Sequence, residues 1–248
     1  MIPLFKTQYS MSGRSILTFD SKAGDSIVDI ATENKLKGVV VVDDTMAGFQ
    51  VGYEKLKEVG VKFVFGLRLD IANDLDNQET EAKYVIFANN EGGKNALIKI
   101  STEANTVGSR KTREGKVISR VTFDYLKTVW NDNDLSLTVP FYDSFVFNNL
   151  LRGFKHIPDQ EFLKQSSFFV EKNGLPFDKI LTDNLETFDN EKILAKSIFY
   201  KDKADFKAWQ TFKCVAQRTS LEKPNLNHCT SNEFCWESYL EEMKNKNA

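Results

Sequence analysis

Residues 38–48, GVVVVDDTMAG, constrain this chain more than any other stretch: four consecutive valines lead directly into two adjacent carboxylates. Valine is stiff and β-branched, and an apolar run without polar alternation reads as a strand covered on both faces. Asp43 and Asp44 fall where that strand ends, the edge at which parallel-sheet proteins assemble their sites. The pattern continues as a helix with Phe49, Tyr53 and Leu56 on one face and Gly60 as its stop. Residues 61–66, VKFVFG, form a second short apolar strand.

The same alternation extends in both directions. A first strand is expected over 4–9, and a helix over 25–36 with Asp25 as its cap and Ile27, Ile30, Ala31 and Asn34 on one face. Residues 70–81 are acidic and read as a surface loop, 84–88 as a buried strand, and Gly92 and Gly93 as a turn before a helix carrying Leu97, Ile98 and Ile100. Further on come a helix over 123–129, a strand over 135–139 and a helix over 145–151. A strand follows over 168–171, then a polar helix start over 184–192 and a last strand over 193–199. From Asp205 a helix places Phe206, Trp209, Phe212 and Ala216 at helical spacing, which reads as a core stripe, and the tail YLEEMKNKNA frays after a turn or two. Alternating strands and helices with short connections predict an α/β chain with a parallel sheet or barrel.

Composition narrows the function classes. At 248 residues the chain can bury a full core of barrel size. With 33 basic against 35 acidic residues the net charge is -2, so no bulk field draws it to nucleic acid or an anionic membrane. Nucleic-acid contact would have to be local; the most basic stretch, residues 106–116, reads first as a solvated loop, and second as a phosphate contact in which Arg110, Lys111, Arg113 and Lys116 meet single-stranded DNA. No apolar run approaches the roughly 20 residues of a membrane span, and MIPLFKTQYS lacks the layout of a signal peptide. Three cysteines without CxxC spacing point to a reducing cytoplasm. Phe at 20 of 248, with many Lys and Asn, suits an AT-rich coding source such as a phage or similar genome.

Several segments, in order, resemble the PHP (polymerase and histidinol phosphatase) domain of bacterial DNA polymerase III α subunits. QYS at residues 8–10 is similar to the family's EYS, VVDDTMAGF to TDHGNMFG, and VKFVFGLRL to GIKPIIGCE. YVIFANNEGGKNALIKIS is similar almost position for position to LVLLAKNEEGYKNLIKLS. FFVEKNGLP resembles YLEIQRHGLP, AKSIFY resembles TNDVHY, and SYLEEM resembles LKSPEEM. The resemblance covers residues 4–243 and implies a distorted (β/α)7 TIM-like barrel over 1–204, with 205–248 as a helical extension packed on it.

In that family the strand ends hold up to three divalent metals for phosphoester hydrolysis, through converging imidazoles and carboxylates. This chain departs from the pattern at nearly every ligand. The matched positions are Leu4, Lys6, Asp43, Asp44, Arg68, Lys83, Phe141, Ser197 and Phe199, and of these only Asp43 keeps a ligand, with Asp44 as a substitute. The resemblance therefore implies a catalytically inactive module, without cofactor beyond weak Mg or Mn at Asp43 and Asp44. Lys6, Arg68 and Lys83 are expected to face those two aspartates, either closing the site with ion pairs or forming an anion pocket. His156 and His228 lie outside the matched motifs. The expected partner is a replication protein such as a polymerase or proofreading exonuclease subunit, helped or captured. The competing readings are a phosphoesterase or 3′–5′ exonuclease built on Asp43 and Asp44, and a nucleic-acid-binding accessory factor.

Overall fold

The computed structural model describes residues 1–9, 15–111, 117–217, 219–222 and 231–247. In chain order the elements begin β1 (Ile2–Phe5), α1 (Ile27–Glu33), β2 (Gly38–Asp43), α2 (Phe49–Glu58), β3 (Lys62–Ala72) and β4 (Glu81–Ala88). They continue with α3 (Glu91–Asn105), β5 (Arg110–Lys111), β6 (Val117–Ile118), β7 (Arg120–Thr122), α4 (Phe123–Val129), β8 (Leu135–Val139) and α5 (Phe145–Leu151). The last are α6 (Gln160–Gln165), β9 (Ser167–Val170), α7 (Asp178–Leu185), β10 (Lys192–Ile198), α8 (Phe206–Gln217) and α9 (Trp236–Asn247). The chain is thus mixed α/β, and no described helix is long and apolar enough to cross a membrane.

Two units divide it: Met1–Phe65 with Glu171–Asp178 and Leu194–Ala248, and Gly66–Val170 with Lys179–Ile193. In the first unit β1 is paired in parallel on both edges, with Leu4 opposite Val40 of β2 and Ser197 of β10. The valine run is buried at Val39, Val41 and Val42, as a doubly covered strand requires. Helix α1 is capped by Ser26, whose side chain accepts from the amides of Val28 and Asp29, so the cap lies one residue beyond the expected Asp25. Gly60 ends α2 at φ 72, a left-handed conformation that suits glycine. On α8 the expected stripe is only partly internal. Trp209 is buried, but Phe212 is 37% exposed, and Lys213 takes the inner place with its ammonium 4.3 Å from the Trp209 ring.

In the second unit β4 is the organising strand, antiparallel to β3 through Asp70–Lys83 and to β8 through Val85–Thr138. Strands β8 and β9 run parallel, as do β3 and β7. An all-parallel sheet is therefore not what forms here. Residues 73–80 between β3 and β4 are too few for a parallel crossover, which takes roughly a dozen or more. Strand β3 also runs on to Ala72, through residues expected as loop. Gly92 and Gly93 lie inside the first turn of α3, after the Asn90 cap, rather than in a turn before it. A Cβ at Gly93 would stand 2.1 Å from the Asp134 carbonyl oxygen, so close backbone approach explains that glycine. The core gathers Leu67, Ile71, Tyr84, Ile86, Leu97, Leu126 and Phe168, each worth about 1.5–3 kcal/mol for a fully buried large apolar side chain.

Candidate functional site

In the first unit, pairing of β1 with β2 brings Thr7 against Asp43, the last residue of the valine strand. The Thr7 amide donates to Asp43 Oδ1 at 2.9 Å, and its hydroxyl donates to Oδ2. Asp43 is 1% exposed. Burial pushes its carboxyl up to about 7; the Thr7 bonds and the Lys6 ammonium oppose the shift, and the Asp44 charge adds to it. A carboxyl poised near neutrality can exchange a proton, which is the chemistry this cluster offers.

The other first-unit positions are less site-like. Leu4 is core, and Lys6 is buried with its backbone amide donating to the Ile198 oxygen at 3.0 Å. Ser197 is bound to Glu171, which accepts from the Ser197 amide and hydroxyl, both at 2.8 Å, and from the Asn173 side chain at 3.0 Å. Phe199 packs against Trp209 and Phe234 with ring centroids 5.2 and 5.6 Å away. Glu171 carried no sequence signal beyond its place in FFVEKNGLP.

In the second unit the cations have carboxylates other than those expected. Arg68 Nη2 meets Asp143 Oδ2 at 2.6 Å, and Lys83 Nζ meets Asp70 Oδ2 at 2.6 Å. Asp143 also holds Arg152, whose Nη2 lies 2.9 Å from its Oδ1. The expectation gave Arg68 and Lys83 to Asp43 and Asp44. Asp70 could have been found from the hairpin register, which sets it opposite Lys83, but nothing in the sequence marks Asp143. Phe141 is buried, edge-on to Tyr142 at 4.9 Å.

Of the basic stretch, Arg110 is occupied by Glu81, both of whose oxygens lie 3.1 Å from its Nη2, while Lys111 is exposed. Arg113 and Lys116 lie outside the described residues, as do His228 and Cys229. Arg120 shares Glu81 at 2.9 Å and donates to the carbonyls of Leu75 and Gly108 at 2.6 and 3.0 Å. His156 is buried between Thr80 O, 2.7 Å from Nδ1, and Tyr84 Oη, 2.9 Å from Nε2. Burial lowers its pKa.

A divalent centre needs several such donors facing one point. Among the described residues no group of three or more His, Cys, Asp or Glu side chains is placed to hold a metal ion. Both oxygens of Asp43 are engaged by Thr7. Among the described residues the donor set does not fit a trinuclear site.

Neither a protein-family model nor a curated protein sequence matches the chain. Among solved structures it is similar to PsfC from Pseudomonas syringae PB-5123, at 15% identity and TM-score 0.46, over 78% of this chain and 74% of that one. It is also similar to a candidate metal-dependent phosphoesterase from Bifidobacterium adolescentis, at 12% identity and TM-score 0.44, over 79% and 86%. At these values neither likeness bears on activity.

Proposed function

We propose that this chain is a PHP-like module, a distorted (β/α)7 barrel with a helical extension over 205–248, which acts by binding a protein of a DNA replication assembly and not by hydrolysis. The observation that carries the reading is the state of Arg68 and Lys83. Both stand at positions where the sequence resemblance calls for metal ligands, and both are bonded to carboxylates, Asp143 and Asp70. Cations at those positions repel a divalent ion and hold the carboxylates it would need. The replication partner, a polymerase or proofreading exonuclease subunit, follows from the polymerase III resemblance and is supported by it alone. The setting is then a bacterial cytoplasm, that of a phage-infected host included.

The test is titration with manganese, zinc and magnesium, paired with hydrolysis of a generic phosphodiester and of single-stranded DNA, and a pull-down from bacterial lysate. The reading expects no stoichiometric metal, no turnover and enrichment of a replication protein. Metal-dependent turnover that disappears in Asp43→Ala would replace it with the phosphoesterase or exonuclease reading, which the near-neutral Asp43 carboxyl favours. The accessory-factor reading keeps exposed Lys111, but Glu81 already occupies Arg110. Single-stranded DNA binding that weakens steeply with salt would support it.

A further inference from the structure

We propose that Arg68 and Arg152 form an anion site that Asp143 fills from within the chain, and that the ligand the site takes is a phosphate group. Arg68 comes from the middle of β3 and Arg152 caps the end of α5, yet both reach one residue in the turn between β8 and α5. They approach it from different sides: Arg68 at Oδ2, 2.6 Å away, and Arg152 at Oδ1, 2.9 Å away. Two guanidinium forks converging on separate oxygens of one anion is the arrangement that recognises a phosphate.

Arg152 is held in place by more than the carboxylate beside it. Arg152 Nη1 donates to Asn148 Oδ1 at 3.0 Å, and its guanidinium lies over the Phe147 ring at 5.1 Å. Asn148 is itself fixed by donating to the Glu81 carbonyl at 3.1 Å and to the Asp143 carbonyl at 3.3 Å. The Arg68 side chain, from β3, is only 5% exposed. Such a cradle would keep its shape if the anion inside it were exchanged.

Asp143 has the properties of an exchangeable occupant. Its backbone sits at φ 60, in the left-handed region that residues other than glycine seldom adopt. The Lys83 amide anchors its carbonyl at 2.9 Å, so the side chain can turn away without loss of the backbone bond. At 15% side-chain exposure the carboxylate opens to solvent, whereas Arg68 behind it does not. A phosphate dianion would bring more charge and more acceptor oxygens than the carboxylate it displaces, and the displaced Asp143 would move into water. A tethered occupant lowers apparent affinity by the fraction of time the site is closed, so an internal anion also sets a threshold for the external one. None of this depends on whether the chain binds metal.

The probe is inorganic phosphate, titrated by calorimetry into the full chain as wild type, Asp143→Asn and Arg152→Gln. Asn is isosteric with Asp, so the first variant removes the competing charge while keeping the turn. Asp143→Asn should bind phosphate about tenfold more tightly than wild type, and its melting temperature should rise with phosphate more than the wild type's does. Arg152→Gln should lose about tenfold, the worth of one charge-assisted contact. Near-ultraviolet circular dichroism checks that each variant is folded, and the comparison of wild type with Asp143→Asn decides even if Arg152→Gln is not. Equal phosphate affinity in wild type and Asp143→Asn, or no saturable binding in either, overturns the proposal. Oligonucleotides with and without a 5′-phosphate separate the two sources of the group. A preference for the phosphorylated end over free phosphate assigns a nucleic-acid terminus, and equal affinity assigns a small phosphate.

Discussion

Asp43→Asn should change how the stability of this protein depends on pH. Burial raises the Asp43 carboxyl from 3.8 to about 7 in the folded chain. The folded value lies above the unfolded one, so the native state holds a proton that the unfolded state has released between those two pH values. Stability from this group is therefore fully present below about pH 4 and lost as pH rises to about 7. At about 1.36 kcal/mol for each pH unit between 3.8 and about 7, the group contributes roughly 4 kcal/mol. Asn cannot ionise and matches the protonated acid in shape. Its oxygen can accept from the Thr7 amide, and its amide can donate to the Thr7 hydroxyl, which turns to suit. The assay is urea unfolding from pH 4 to 8.5, followed by tryptophan fluorescence, since Trp209 and Trp236 are buried in the same unit as Asp43. The variant-minus-wild-type difference should climb by about 4 kcal/mol across that range in favour of Asn. Titrating groups remote from Asp43, His156 among them, cancel in the difference. A flat difference curve would refute the reasoning, because it would mean that Asp43 carries its charge when folded as readily as when unfolded.

Three further outcomes follow from other parts of the molecule. His156 Nδ1–H donates to the Thr80 carbonyl, its Nε2 meets the Tyr84 hydroxyl at 2.9 Å, and burial favours the neutral ring. With its folded pKa lowered by burial, its contribution is present above about pH 6.5 and lost as pH falls; His156→Phe should abolish that acid-side loss in pH-resolved melts, at about 1–3 kcal/mol for each polar partner it orphans. Glu81→Gln leaves Arg110 and Arg120 without their shared carboxylate and should cost about 3 kcal/mol, with faster amide exchange at Val117 and Ile118 as the local readout. Gly93→Ala should destabilise by about 2 kcal/mol in thermal melts, despite the roughly 1 kcal/mol that helix propensity grants Ala, because the new methyl meets the Asp134 carbonyl oxygen.

Local signals in the sequence were readable wherever one element decided its own limits. Helices Phe123–Val129 and Phe145–Leu151 lie where periodicity sets them, because Thr122 and Ser144 cap them with their own side chains. The valine strand ends at Asp43 as its pattern demands. Elsewhere distant partners overruled composition. Asp70 makes the end of β3 resemble loop, yet it is buried in a strand because Lys83 neutralises it. Lys213 displaced Phe212 from the inner face of α8 because its stem can lie along Trp209 while its ammonium meets the ring. What the sequence did not show is how these side chains pair. Which carboxylate meets which cation depends on strand register and on a turn at Asp143 that no motif announces.

The ion pairs of the second unit also allow a reversal experiment. Arg68→Glu would set a second carboxylate against Asp143, in place of a guanidinium 2.6 Å from its oxygen. Breaking such a buried pair costs about 3–5 kcal/mol, and the variant should melt well below wild type in the presence of a chelator. If position 68 is where the resemblance sets it, at a former metal ligand, then the introduced carboxylate and Asp143 together give a hard divalent ion two oxygen donors. Millimolar Mn²⁺ should then restore part of the lost melting temperature in the variant and none in wild type, where the tethered guanidinium already claims the carboxylate. A variant that stays destabilised at every Mn²⁺ concentration would show that position 68 is not a former metal ligand. The proposed descent of this site from a metal centre would then fall, while the phosphate site, which rests on Arg68 and Arg152 as they stand, would remain open to its own titration.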